Sequence, residues 1–246
     1  MDSGYYAACT ALMSRMQALD TVADNLANLS TSGYRSQHNV FQSVLAGMKG
    51  SSGSPLNQAL NDYDVLGGTR LDSSQGTLQR TGNDHDMAIE GPGFFVVKSR
   101  SGEVYTRDGS FQVSRDNQLV TAAGDPVLGE NGPVTILDGP FTVSSDGTIS
   151  VNGAIAGKLK LVEFDPGTPL QSQGQTYYSA PGGSPSAGQS STVRQGALES
   201  SNVSAVSSVV ELITVQREAE MMQRALALFN SEMNKTATQE LPRVNS

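Results

Sequence analysis

"NLANLSTSGYR", residues Asn25 to Arg35, joins two different kinds of sequence. Upstream, Tyr5, Cys9, Leu12, Met16, Leu19, Ala23 and Leu26 follow one another in alternating steps of four and three. That period is a heptad seam on an α-helix, with two apolar positions in every seven. Ser14, Arg15, Gln17, Asp20, Thr21 and Asp24 occupy the other faces, so the apolar stripe is narrow. Such a stripe suits a coiled-coil seam better than a helix lying on a globular core. Neither Gly nor Pro interrupts residues 5–29, and a helix is expected over roughly 3–30. Asn25, Leu26 and Asn28 finish its seam. Ser30, Thr31 and Gly33 then break the period, Gly33 being free to take a left-handed conformation past a helix end. Tyr34 and Arg35 start a connector outward, with Tyr34 expected either against a neighbour or in a surface turn. The stretch reads as a corner.

The other end of the chain repeats the theme. Leu212, Val215, Ala219, Met222, Leu226, Phe229 and Met233 are spaced by three and four, which predicts a second helix over roughly 203–238. Ser201 or Asn202 is placed to cap its start. Val206, Val210 and Ile213 add a second apolar stripe, so this end is expected to touch two neighbours. A helix with so little apolar surface does not hold itself together, because helical stability in proteins comes mainly from tertiary packing. Each terminal helix therefore needs the other, or copies from further subunits. The termini are expected to order when those neighbours arrive.

Between the helices the pattern changes from a period near 3.6 to short strand-like runs. "GFFVVKSRSGEVYTRDGSFQVSRDNQLVTAAGDPVLGENGPVTI" alternates Val, Phe, Tyr and Thr with turns at Ser101-Gly102, Asp108-Gly109, Asp116-Asn117, Gly124-Asp125 and Asn131-Gly132. Such spacing reads as antiparallel hairpins. Further strands are expected at 141–144, 147–151 and 158–164. Residues 47–58 and 165–191, rich in Gly, Ser, Pro and Gln, read as linkers. No helix–strand alternation is present, which argues against a parallel α/β sheet. The expected fold class is α+β: paired terminal helices forming a coiled-coil-like axial domain, with an inserted antiparallel all-β domain. The expected segments are an axial helix over 1–33, an extended connector over 34–85, the β domain over 86–164, a returning connector over 165–200 and a second axial helix over 201–246.

Composition narrows the function. The 246 residues are 37% hydrophobic and 16% charged, both low, with 26 glycines and no tryptophan. A formal net charge of -8 argues against a nucleic-acid surface and against adhesion to anionic lipid. The single cysteine, Cys9, forms no internal disulfide. The first twenty residues lack the basic and apolar regions of a signal peptide, and no apolar run is long enough for membrane insertion.

No catalytic constellation emerges. "NDHD" sets Asp84 and Asp86 around His85, but no second His or Cys sits at a ligand spacing, and i−1/i+1 neighbours point apart. A polar turn before a strand at 87–90 accounts for it. Cys9 lies on the helix seam, where a small apolar residue is expected. Gly91-Pro92-Gly93 opens a strand, whereas a phosphate-cradling loop opens a helix. "DYD" (62–64) lacks the glycine and closing Glu of a calcium loop. No catalytic, metal or cofactor-binding residue is assigned, and no cofactor is expected.

Four motifs in order carry a resemblance. "ADNLANLSTSGYR" (23–35) is similar to the N-terminal motif of the bacterial flagellar axial proteins, those of the rod and hook. "GPGFFVV" (91–97), "YTRDGSFQV" (105–113) and "QLVTAAGDPVLG" (118–129) resemble the β-domain signature of that family. "QGALESSNVSAVSSVVELITVQREAEM" (195–221) resembles its C-terminal segment. The length and "PVLGENGPVTI" (126–136) look most like the proximal-rod branch, with the distal-rod branch a close second. Asp24 departs from the Asn common in the first motif.

The resemblance implies a structural subunit, not an enzyme, of the basal-body rod in the periplasmic space. It implies self-assembly with its own copies and other rod proteins through the terminal helices, around a central channel, and transmission of motor torque. It further implies unfolded export by the flagellar type III apparatus without a cleaved signal peptide. The subunit-packing residues would be the fourteen seam positions named above. The other classes to weigh are a binding or enzymatic β module on a coiled-coil stalk, marked by a pocket of converging polar and aromatic side chains, and a secreted adhesin.

Overall fold

A computed structural model describes residues 2–42, 65–100, 102–137, 139–165, 167–174, 176–188 and 190–239. The linker 47–58 and the "DYD" run lie outside them, and the side chains of Tyr5, Phe229 and Met233 are likewise outside the description. The chain divides into two compact units, one comprising Met1–Asp24, His38–Thr69 and Ala205–Ser246, the other Asn25–Gln37 and Arg70–Ser204.

The first unit carries the helices. Helix α1 spans Asp2–Ala27 and helix α2 spans Ala205–Gln239, within a few residues of the periods read from sequence. The buried positions of α1 are Ala11, Ser14, Ala18, Thr21 and Val22. Ala11, Ser14, Ala18 and Thr21 keep the three–four spacing, with Val22 beside them, but each sits one or two residues before the expected seam and so on a different face of the helix. Cys9, Leu12, Leu19 and Leu26 are half-buried, Ala23 is exposed, and Met13 and Met16 are 71% and 54% exposed. Small side chains explain the displacement: Ala, Ser and Thr let another backbone approach, whereas Leu and Met do not. The one hydroxyl proton of Thr21 is shared between the Gln17 carbonyl at 3.0 Å and Asn39 Oδ1 at 3.2 Å, which satisfies the buried donor.

On α2 the expected seam is the face that the chain itself covers. Val215 and Ala219 are buried, and Leu212, Met222 and Leu226 half-buried. Arg15 of α1 pairs with Glu218 of α2 at 3.2 Å. The second stripe lies on the opposite side of α2, with Val206 77%, Val210 60%, Ile213 45%, Met221 60% and Leu228 66% exposed. No helix among the described residues is long and apolar enough to cross a membrane.

The second unit is antiparallel throughout its assigned ladders. Numbered along the whole chain, the strands are β1 (Gln37–Gln42), β2 (Val65–Leu71), β3 (Leu78–Arg80), β4 (Met87–Glu90), β5 (Phe94–Ser99), β6 (Gly102–Thr106), β7 (Gln112–Val113), β8 (Leu119–Val120), β9 (Leu128–Gly129), β10 (Gly132–Pro133), β11 (Phe141–Val143), β12 (Thr148–Val151), β13 (Ala154–Lys158), β14 (Leu161–Glu163), β15 (Gln171–Ser172), β16 (Tyr177–Ser179), β17 (Ser186–Ala187), β18 (Thr192–Gln195) and β19 (Ala197–Glu199). A six-stranded sheet has the order β15-β16-β6-β5-β14-β17. Strand β5 lies at its centre and alternates faces as the pleat requires. Phe95 joins a core with Phe111, Leu119, Phe141, Ile149 and Val193, while Phe94 and Val96 join another with Tyr105, Val162 and Tyr178. Burial on both faces explains why "FFVV" is a continuous apolar run rather than an alternating one.

Strands β15 to β19 fall inside 165–200, the segment expected as a returning connector. Their runs are two to four residues long and set among Gly, Ser and Pro, too short to stand out by period. Strand β18 pairs with β4 (Val193 opposite Ile89), and β19 pairs with β3 (Glu199 opposite Leu78). The β19–β3 ladder thus stitches the returning segment to the outgoing one, and β18–β4 ties it to the β domain.

Candidate functional site

The corner quoted at the outset forms a polar cluster within the second unit. Its first part is a knot around Asn25, 4% exposed although it lies near the end of a helix. Asn25 Nδ2 donates to the Gln37 carbonyl at 2.8 Å, and its Oδ1 accepts from the Gln37 N–H at 2.9 Å and the Tyr34 hydroxyl at 3.1 Å. An asparagine offers a donor and an acceptor on one planar group, and here both close the loop between residues 25 and 37. Tyr34 is 3% exposed, so this chain holds it inside itself rather than in a surface turn or against a neighbour. Thr31 donates to Asn28 Oδ1 at 3.0 Å, tightening the same turn.

The second part ties the outgoing chain to the returning one. The Ser36 N–H donates to Asn202 Oδ1 at 2.7 Å, and Asn202 Nδ2 donates to the Ser74 carbonyl at 3.0 Å. Asn202, expected as a helix cap, precedes α2 by three residues and serves as this bridge instead. The Gly33 N–H donates to the Glu199 carbonyl at 2.8 Å. Gly33 has φ 70, and a Cβ there would overlap the backbone of Arg107 and Asp108. Glycine is required on both counts.

The third part is ionic and dry. Arg35, Arg107 and Glu199 are each at most 2% exposed. Arg35 Nη2 lies 2.8 Å from Glu199 Oε1, and Arg107 Nη1 lies 3.1 Å from Oε2. Glu199 Oε1 also accepts the Gly76 N–H at 2.9 Å. Arg107 Nη2 donates to the Gly91 carbonyl at 2.6 Å, and the guanidinium sits 4.9 Å from the centre of the Phe94 ring. Burial, then the neighbouring Arg35 charge, pushes Arg107 down to about 10. It stays a cation at neutral pH.

Tyr178 closes the cluster, its hydroxyl accepting the Arg35 backbone N–H at 3.0 Å. Burial pushes its phenol well above the usual 10.0. A folded pKa above the unfolded one contributes stability that is present below pH 10 and lost as pH rises past it. Tyr178→Phe removes both the acceptor and this dependence. We expect it to cost about 1–3 kcal/mol at neutral pH, the price of a buried N–H without a partner. The gap between the two proteins should narrow above pH 10 in urea titrations. A gap that widens there would contradict the assignment.

Of these residues, Asn25, Asn28, Thr31, Gly33, Tyr34 and Arg35 were legible as a corner, and Ser30 is exposed at its edge. Glu199, Arg107 and Tyr178 carry no periodic signal, and only the ladders bring them together. His85 stacks edge-on against Phe141 with ring centres 5.3 Å apart, as part of a turn. Among the described residues no group of three His, Cys, Asp or Glu side chains is placed to hold a metal ion. A surface cleft of about 520 Å³ is lined by Glu130, Asp146, Lys158, Ser191 and Thr192 without an aromatic side chain.

Three family models match the chain in the order of its parts. The flagella basal body rod protein family matches residues 6–35, the flagellar hook protein FlgE/F/G D1 domain matches 88–151, and the flagellar basal body rod FlgEFG protein C-terminal family matches 194–239. The first ends on Arg35 of the corner, the second contains Arg107 and the third contains Glu199. The buried triad thus draws one member from each. Curated relatives cover all or nearly all of the chain. The flagellar basal-body rod protein FlgF of Caulobacter vibrioides is 32% identical over 253 residues, covering 100% of both chains. FlgF of Salmonella typhimurium is 31% identical, covering 92% of this chain and 93% of its own. FlgG of Buchnera aphidicola is also 31% identical, covering 92% of this chain and 95% of its own. The chain belongs to the flagellar basal-body rod protein family and is of the FlgF type, with FlgG close to it.

Proposed function

We propose that this structural rod subunit assembles with its own copies and other rod proteins through apolar faces that its two helices leave open. One observation carries this reading: α2 has two opposite apolar faces, and the chain covers only one of them. Val206, Val210, Ile213, Met221 and Leu228 form the uncovered face. On α1 the expected seam, with Leu12, Met16, Leu19, Ala23 and Leu26, is left partly or fully exposed in the same way. Isolated exposed apolar residues are ordinary, but stripes at helical spacing mark an interface.

In this reading the axial helices pair along their length and surround a channel, and the chain reaches the periplasmic rod unfolded through the export apparatus. The corner holds the outgoing and returning chain segments of the second unit in fixed register, so that torque does not unfold them. Supporting it are the full-length similarity to rod proteins and the dry corner that joins the outgoing and returning chain. The proximal rod is the assigned position, following the FlgF type.

The test is complementation. A strain lacking its own copy should regain motility when given this chain, and purified basal bodies should contain it at the proximal rod. Restored motility with the chain absent from purified basal bodies would overturn the assignment.

A further inference from the structure

The charge count of the corner is uneven. Two guanidinium groups and one carboxylate share a site from which water is excluded, and Glu199 is the one carboxylate paired with either arginine among the described residues. Arg35 Nε and Nη1 and Arg107 Nε are buried without a hydrogen-bond acceptor. The site therefore tolerates a net positive charge with one counter-ion in place. Without that counter-ion, two like charges would face each other in low dielectric, which is strongly unfavourable.

The order of these residues along the chain matters. Arg35 and Arg107 come early and Glu199 late. Glu199 reaches the site only when β19 pairs with β3, a contact that spans more than a hundred residues. Its side chain then meets Arg35, Gly76 and Arg107, and its carbonyl meets Gly33.

We propose that Glu199 is a counter-charge latch: the corner closes only when segment 197–199 arrives, and before that Arg35 and Arg107 hold the N-terminal part of the chain open. The physical claim concerns this chain alone. Its use, keeping a rod subunit from closing while it is still being threaded, rests on the function proposed above. A chain that entered an export channel N-terminus first would carry both arginines through before their partner.

The experiment uses the full-length isolated chain, so it is independent of whether rods form. Amide hydrogen exchange is read at Gly33, Arg35 and Gly76 in the corner and at Leu119, Val127 and Val134 in the β core, whose amides are all hydrogen-bonded. Glu199→Gln keeps the shape and the carbonyl acceptor but removes the charge. Corner amides should then exchange about 100-fold faster, with core amides changed less than about 3-fold. Adding Arg107→Met to Glu199→Gln removes one of the two stranded cations and should slow corner exchange at least about 5-fold relative to Glu199→Gln alone.

In pulse-labelled refolding of the unaltered chain, the Arg35 amide should gain protection no earlier than that of Ser200, which bonds the Thr77 carbonyl beside β19. Unchanged corner exchange in Glu199→Gln would overturn the latch. So would an equal rise in corner and core, a double variant as fast as Glu199→Gln, or Arg35 protected before Ser200. Failure of complementation with normal exchange results would count against the rod function and leave the latch standing.

Discussion

Gly33→Ala is expected to open the corner and abolish incorporation into rods while the β core stays folded. Two effects add at this position. An alanine at φ 70 costs about 1–2 kcal/mol because its Cβ crowds its own carbonyl. The same Cβ overlaps the backbone of Arg107 and Asp108, and backbone cannot move aside as a flexible side chain can. Relief would require shifting Arg107, whose side chain is fixed by Glu199 and by the Gly91 carbonyl. Overpacking of this kind costs about 1–3 kcal/mol further.

Gly82→Ala is the matched control. Gly82 has φ 74, nearly the same conformation, but a Cβ there meets nothing within 4 Å. Urea unfolding of the two variants should therefore differ by the overlap term alone. Rods should form with Gly82→Ala and not with Gly33→Ala. Equal midpoints would mean that the close approach at Gly33 is of no consequence.

How far the sequence reveals this site depends on the kind of signal each residue leaves. Helical period located α1 and α2, and the break at Ser30 to Gly33 located the corner. Turn dipeptides located most hairpins of the middle. Three features leave no such trace. The face of α1 that becomes buried is made of Ala, Ser and Thr, which a search for large apolar residues passes over. The late strands β15 to β19 are too short to show a period, and composition makes 165–191, which holds the first three of them, look like a linker. The triad of Arg35, Arg107 and Glu199 is assembled from three distant segments by ladder register alone. Charged residues in short β runs are ordinarily exposed, as Glu90 and Arg194 are at 55% each. Only pairing geometry distinguishes Glu199, at 1%, from these.

Ile213→Asp and Ala219→Asp, on opposite faces of α2, are expected to fail in different ways. Ala219 is 8% exposed on the face the chain covers itself. A carboxylate there is buried without a partner, and the terminal helices of the isolated subunit should lose structure, seen as a drop in helical circular dichroism. Ile213 is 45% exposed on the open face, so the isolated subunit should change by no more than about 0.5 kcal/mol. In a rod the same carboxylate would enter an apolar contact repeated at every subunit. Each contact would then carry an unpaired charge costing about 2–5 kcal/mol, and the costs recur along the assembly. Incorporation should be lost although the monomer is intact. Ile213→Val, which keeps the apolar surface, should assemble. A motile strain with Ile213→Asp subunits in its rods would remove the open face of α2 from the interface and leave the α1 seam as the remaining candidate.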